Sequence, residues 1–446
     1  MTDFQIYLTI GVFAAVILLI AFDLIDMTVA ALLGVSVLIV FGILDGSDLM
    51  PIVHTAGGPL SLLFGGMVVA RVIGKTGIFD WIGAAFLRAT GGSGRRFLLL
   101  IVALVAPVCA VLPNATAVIL VAPVIVGVCL AFEVDFVGPL IITAIVSNAA
   151  GMLTLVGDPA TFLVGSAIGL SFADYLRMVS LGGLLAVLAV VPLLPFLLPK
   201  IWAARVTLPA ERPPIAIERP VFLVLALLVL LTMVILFLVG ESLPTRIVPP
   251  QVAIIVAALA LLVVYGVRIE PVGAVIRDVD WKTLVFLGAI FTLVRAFIKT
   301  ELLQGLSIQI YQWFGADLLS VAFLSLAGIG ILSSLLANIP VVAAALVMIT
   351  GYLVAAQAVP EIALAPGFAS WPNVTLPVFV AMMFGGTLGG NATLIGASAN
   401  VVAAGICASR GRHVSFMQFL RIGLPIAVVQ LSVGALYVWV LASMLG

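Results

Sequence analysis

Charge is what this sequence has least of: 9% of its 446 residues are Asp, Glu, Lys or Arg, balanced at 19 acidic and 19 basic. A soluble domain carries roughly 25%, so the chain cannot cover a water-facing surface of ordinary size. No basic run is long enough to follow a nucleic-acid backbone. Cysteine is nearly absent. Cys109, Cys129 and Cys407 lie singly inside apolar runs, an odd number without paired-thiol spacing, which argues against a disulfide framework and leaves them as small core residues. The two histidines, His54 and His413, are read as loop residues without His-x-x-Glu neighbours, which argues against metal chemistry. No nucleophile and base pair stands out, so an enzyme is disfavoured.

What is abundant is apolar length. Hydrophobic residues make up 64% of the chain. Stretches near the ~20 residues that a spanning helix needs recur at 4–22, 28–44, 221–240, 250–267 and 422–445. The chain is therefore a polytopic helical protein of the lipid bilayer. Its first stretch lacks a basic leader and a small-residue cleavage site and is expected to be retained.

The chain also repeats itself. Arg71, Lys75 and Thr76 match Arg295, Lys299 and Thr300 at an offset of 224, and at the same offset Asn114 falls on Asn338. Gly151, Thr154, Leu155 and Gly157 match Gly390, Thr393, Leu394 and Gly396 at 239; Ser171-Phe172 and Leu176-Arg177 match Ser415-Phe416 and Leu420-Arg421 at 244. The order is kept while loops lengthen. Each half reads as three helices, an interrupted hairpin, a helix broken by a Gly-rich loop, and a last helix. In the first half these fall near 4–22, 28–46, 58–75, 97–132, 136–170 and 178–198; in the second, near 221–240, 250–268, 281–298, 317–357, 374–408 and 420–445. The expected divisions are residues 1–198, a Pro-rich charged linker at 199–220, and 221–446.

A hairpin returns to its own side, so each half makes five net crossings and the second half should be inverted. Basic residues mark the cytoplasmic side, and this scheme places 15 of them on one side, Arg71, Lys75, Arg212 and Lys282 included, against Arg177, Arg246, Arg295 and Lys299 on the other. Both termini are then expected outside the cytoplasm. The expected fold is an all-α polytopic membrane protein of two inverted repeats, five transmembrane helices each, with a re-entrant hairpin and a broken helix. Arg71 and Arg295, near helix ends, are read as headgroup anchors, and Asp23 and Asp26 as solvated loop residues.

Non-helical backbone is tolerated in hydrocarbon only where protein or a wet cavity satisfies it. Paired interruptions in two inverted halves point to a transporter's binding site. The tips offer Asn114, Thr116 and Asn338, whose amides supply donors and an acceptor; the bland alternative is that each Asn caps its hairpin arm. The broken-helix loops offer Asn148, Thr154 and Asp158 in one half and Asn391, Thr393, Ser398 and Asn400 in the other. Their glycines permit close backbone approach or serve helix packing. Asp158 is the one acid placed in a repeat motif. It is a candidate proton carrier and, being followed by Pro159, equally a helix cap.

The run Gly389-Gly390-Asn391-Ala392-Thr393-Leu394-Ile395-Gly396-Ala397-Ser398-Ala399-Asn400, followed by Ser415-Phe416 and Leu420-Arg421, closely resembles the second-repeat signature of the ion transporter superfamily. The nearest branch is that of arsenite-efflux permeases, NhaD-type sodium/proton antiporters and melanosomal P protein. Pro113-Asn114-Ala115-Thr116 is similar to the Ser-Asn-Thr tip of the divalent-anion/sodium symporters, although neither tip reads Ser-Asn-Thr. The resemblance implies that Asn114, Thr116, Asn338 and both broken-helix loops bind substrate and coupling ion, and that the unit is a homodimer. The expected activity is alternating access in the cell membrane, most simply export of a small oxyanion or metalloid acid such as arsenite or antimonite. No cofactor is expected beyond H+ or Na+ as coupling ion. Sodium-coupled uptake of a carboxylate or sulfate-like anion, and Na+/H+ antiport, remain alternatives; a channel would need rings of ligands along a continuous polar path.

Overall fold

The structure, a computed structural model, describes every residue except 1, 22–23, 208–216, 218, 365–367 and 369. Asp23, Arg212 and the middle of the expected linker therefore lie outside the described residues. Among the described residues eleven helices are long and apolar enough to cross a membrane, and the only β-pairing is an isolated bridge between Ser93 and Arg205. The protein is an all-α, multi-pass membrane protein.

One succession of elements occurs twice. Three helices, Asp3–Ala21, Met27–Val40 and Leu49–Gly74, lead through Ile78–Thr90 to a hairpin with arms Gly94–Cys109 and Asn114–Ala131. A broken helix, Val137–Gly151 and Pro159–Ala167, follows, then Phe172–Met178 and a last span over 180–197. The second half runs Pro220–Val239, Pro249–Val267, Trp281–Lys299, Leu302–Phe314, hairpin arms Leu318–Leu335 and Asn338–Ala355, broken helix Leu376–Gly389 and Ser398–Ser409, and Phe416–Leu445.

Three features depart from the sequence reading. The third helix starts at Leu49, not near 58, because Asp45 and Asp48 form a reciprocal capping box over Gly46–Asp48 that nucleates it. His54 is consequently an exposed helical residue, not a loop residue. The helices Ile78–Thr90 and Leu302–Phe314, 13 residues each, are too short and too amphipathic to register as spans. Both are bracketed by left-handed residues at matching positions, Gly77 and Gly91 in one half and Glu301 and Gly315 in the other, which swing the chain sharply into and out of each.

The third departure concerns the anchors. Arg71 is bonded to Asp278 and lies 3.8 Å from Glu270, which also takes Lys75 at 3.3 Å. Arg295 donates to Asp48 at 2.9 Å, and Lys299 reaches Asp48 at 2.7 Å and Asp45 at 3.3 Å. The end of each third helix is thus tied to the start of the other, so Leu49–Gly74 and Trp281–Lys299 lie antiparallel with an ionic clasp at each end. Partners from the opposite half compete successfully with headgroups because they are fixed and partly desolvated. Asp26 is likewise engaged: it caps Thr28 and pairs with Lys282 at 2.5 Å. Hydrogen bonds from the Ser47 hydroxyl and amide, with Lys299 behind them, hold the Asp45 carboxyl down to about 2.

Asp48 is the buried member of its clasp, 1% exposed between two cations. Asp48→Ala should lower stability by about 2–3 kcal/mol, discounted for the partial exposure of its partners, read as a fall in thermal midpoint of the detergent-solubilised protein. An unchanged midpoint would show the clasp to be ornamental.

Candidate functional site

The hairpins turn and the long helices break for local reasons. Pro113 and Ala337 occupy the N-cap positions of the two returning arms with nearly identical extended backbone, φ −53° and −60°, ψ 136° in both. Asn114 and Asn338 are the first helical residues, and neither N-cap position carries a side-chain cap. The tip amides are therefore not spent on capping their arms, apart from an Asn114 Oδ1 contact with the Ala115 N–H at 3.0 Å. In the first broken helix Pro159 cannot continue the preceding hydrogen-bond ladder. It also forces Asp158 into extended backbone, φ −131°, ψ 128°, from which the Asp158 carboxylate accepts the Thr161 N–H at 3.0 Å. The second break has no proline. It rests on glycines: a Cβ on Gly396 would lie 2.5 Å from the Gly390 carbonyl oxygen, and one on Gly157 2.5 Å from that of Gly151. Close backbone packing therefore accounts for these glycines, as the bland reading held.

The interruptions meet. A cavity of about 1330 Å³ is lined by Pro113–Thr116 and Ala337–Pro340 from the two tips, by Asp158 and Pro159, and by Leu394, Ile395, Ala397 and Ser398. Apolar walls come from the first helix and from Trp281–Lys299, through residues such as Phe13, Ile17, Phe286 and Ile290. Asp26, Asp280 and Lys282 also border it, and Lys282 is the only cation among the lining residues. Four helices, beginning at Asn114, Pro159, Asn338 and Ser398, present their N-termini there, the electropositive ends of their dipoles.

Behind the cavity lies a buried amide network that joins the halves. Asn114 Nδ2 donates to Asn148 Oδ1 at 2.9 Å and approaches Asp158 Oδ1 at 3.5 Å. Asn148 Nδ2 donates to Asn391 Oδ1 at 2.9 Å and Asn400 Oδ1 at 3.0 Å. Asn391 continues to Gln430 at 2.8 Å, and Gln430 to the Ala186 carbonyl at 3.0 Å. Asp158 Oδ2 accepts the hydroxyls of Thr161 and Thr387, each at 3.2 Å.

The ten residues singled out from sequence thus divide. Asn114, Thr116, Asp158, Asn338 and Ser398 line the cavity; Asn148, Asn391 and Asn400 stand in the network behind it. Thr154 and Thr393 have a different task. The Thr154 hydroxyl donates to the Ala110 carbonyl at 2.5 Å, and the Thr393 hydroxyl bonds the Ser334 carbonyl, so each loop is latched to the end of its own hairpin's first arm. Sequence reasoning placed Thr161 in the first broken-helix loop without singling it out as a site residue, and passed over Thr387 and Gln430. The repeat itself carried a signal for the threonines, since the 239 offset sets Asn148 against Thr387 and Thr161 against Asn400. Gln430 was visible as the lone amide in the apolar stretch 422–445.

Asn148 is buried and holds three partners, so Asn148→Ala strands three amides. A loss of about 2–4 kcal/mol is expected, measurable as a drop in thermal midpoint. A wild-type midpoint would mean that the network relaxes without it.

Comparison with known proteins gives the same class. The family described as citrate transporter, CitMHS, matches residues 17–369. An uncharacterized transporter of Synechocystis is 41% identical over 98% of each chain. The 46 kDa membrane protein of Mycobacterium leprae is 30% identical over 97% of this chain and 98% of its own length. The human P protein, of the branch named from the sequence motifs, is 27% identical over 99% of this chain and 60% of its own. The crystal structure of the Alcanivorax borkumensis YdaH transporter aligns over 90% of each chain at 15% identity, with a TM-score of 0.49. By the family match over residues 17–369 and the relatives at 30% identity or more over nearly the whole chain, the chain belongs to the CitMHS citrate transporter family of membrane transporters.

Proposed function

We propose that this transporter is an alternating-access carrier of two inverted repeats for a small oxygen-rich solute, with arsenite or antimonite export as the leading activity. The observation that carries the reading is the composition of the cavity: two tip amides, hydroxyls and four helix N-termini face it, and its deep end has no Lys or Arg. A neutral metalloid acid, which is both donor and acceptor, suits amides and hydroxyls. A free polyanion would want a bidentate guanidinium, and no Arg is among the described lining residues. Asn338 is the principal cargo contact: it is 8% exposed, lines the cavity, and no described side chain bonds its amide. The antiparallel clasp of Leu49–Gly74 with Trp281–Lys299 supports the inversion. The basic-residue bias places the Asp26 and Lys282 rim on the cytoplasmic side, which makes this an inward-open state.

Asp158 supplies coupling. It is fully buried, and its hydrogen-bond partners, Thr161, Thr387 and Asn114, are all neutral. An unpaired carboxylate at membrane depth is costly, so it has to be accompanied by a proton or a cation. Sodium-coupled carboxylate uptake is the second reading. The four convergent helix N-termini favour an anion, and the family's description names citrate.

Two substitutions test the assignment. Asn338→Ala should weaken arsenite or antimonite binding about tenfold or more, followed as ligand-induced thermal stabilisation, while the unliganded midpoint stays put; undiminished stabilisation removes Asn338 from the site. Asp158→Asn should abolish the dependence of flux in proteoliposomes on the pH or sodium gradient, and a retained dependence leaves Asp158 a helix cap.

A further inference from the structure

The two halves are not equivalent at the positions where each could hold a cation. The 239 offset sets Asp158 against Ala397, Thr161 against Asn400, and Asn148 against Thr387. The contacts follow the same exchange: Asn148 meets Asn400 at 3.0 Å, and Thr387 meets Thr161 at 3.5 Å. These are equivalent junctions, each between the first part of one broken helix and the second part of the other, furnished with different chemistry.

In the second half the junction is saturated by its own donors. Asn400 Nδ2 donates to the Gly390 carbonyl at 2.9 Å and the Thr393 carbonyl at 2.8 Å. Asn148 Nδ2 takes both Asn400 Oδ1 and Asn391 Oδ1. The loop carbonyls that unwinding frees, which in a carrier coordinate a coupling cation, are thus occupied by amide hydrogens. In the first half the equivalent carbonyls are those of Gly151 and Thr154. Among the described residues no side chain donates to either; Thr154 receives only the Gly157 N–H, at 3.4 Å. Gly151 also packs directly on Asp158, since a Cβ added there would stand 3.1 Å from the Asp158 Cβ. The first half has both a carboxylate and two loop carbonyls without side-chain donors among the described residues; the second half has neither, because Ala397 replaces the acid and Asn400 takes both carbonyls.

We propose that the protein holds a single coupling cation, in the first-half junction around Asp158, and that Asn148 and Asn400 permanently fill the second-half junction with amide hydrogens in the cation's place. The inference rests on the reading of Asp158 as the coupling carboxylate. It explains why the tips differ: Asn114 is drawn into the network beside Asp158, while Asn338, with no cation site behind it, faces the cavity.

Binding of radioactive sodium to the purified full-length chain by equilibrium dialysis tests this. Wild type should saturate at one Na+ per chain, and Asp158→Asn at none. Ala397→Asp with Asn400→Thr, which installs the first-half residues in the second half, should bind two. Two ions on wild type, or one on a folded double variant, overturns the single-site proposal. If the double variant fails to fold, the wild-type count decides alone. No sodium on wild type, or one retained by Asp158→Asn, also overturns the cation site, whereas the underlying reading of Asp158 as the coupling carboxylate falls separately, if Asp158→Asn keeps the gradient dependence of flux in proteoliposomes.

Discussion

Backbone that leaves the helix at membrane depth finds no bulk water, and each carbonyl it frees has to be met by protein, by a bound ion or by a wet cavity. In this chain the donors are specific side chains: Tyr175 for Met152, Ser180 for Leu153, Thr154 for Ala110, Thr393 and Ser333 for Ser334 and Gly386, and Asn400 for two carbonyls of the second loop. The breaks, the tips and the cavity they enclose exist because these bonds are made. The buried Ser333, Thr393 and Asn400 are accounted for by this requirement.

The same requirement joins the halves. Asn148 belongs to one broken helix and spends its amide hydrogens on Asn391 and Asn400 of the other, 243 and 252 residues away. In a low-dielectric interior such a network is strong when complete and expensive when interrupted, so the two breaks are held as one unit with the last helix through Gln430. Around that unit stand the paired third helices, clasped at both ends by ion pairs. Polar chemistry thus binds each assembly internally, whereas the cavity between them is walled largely by apolar side chains. Apolar contacts are non-directional, which suits the proposed alternating access better than a hydrogen-bonded seam would.

Function follows from what the accounting leaves over. Among the described residues, Asn338, Thr116 and Ser398 reach the cavity without a side-chain partner, and Asp158 reaches it with only neutral ones. In the proposed function these are the groups that exchange one solute or ion for another, and they sit where four helix N-termini converge.

The sequence by itself determined the solvent, the succession of elements and the places where helices fail. Each of these is local: apolar length, Pro and Gly breakers, and an ordered echo at offsets of 224 to 244 are properties of neighbouring residues. The cavity-lining residues were legible for the same reason, because tips and breaks at membrane depth have few other uses. The partner of each polar group was decided only by tertiary structure. Arg71 and Arg295 look like headgroup anchors until Asp278 and Asp48 arrive from the opposite half. Thr154 and Thr393 look like ligands until the hairpin arms offer them carbonyls. The tip asparagines look equivalent until Asn114 finds Asn148 and Asn338 finds only the cavity. A side chain within hydrogen-bond range of several groups takes the one that packing brings closest, and packing across more than 200 residues is not written in any local window.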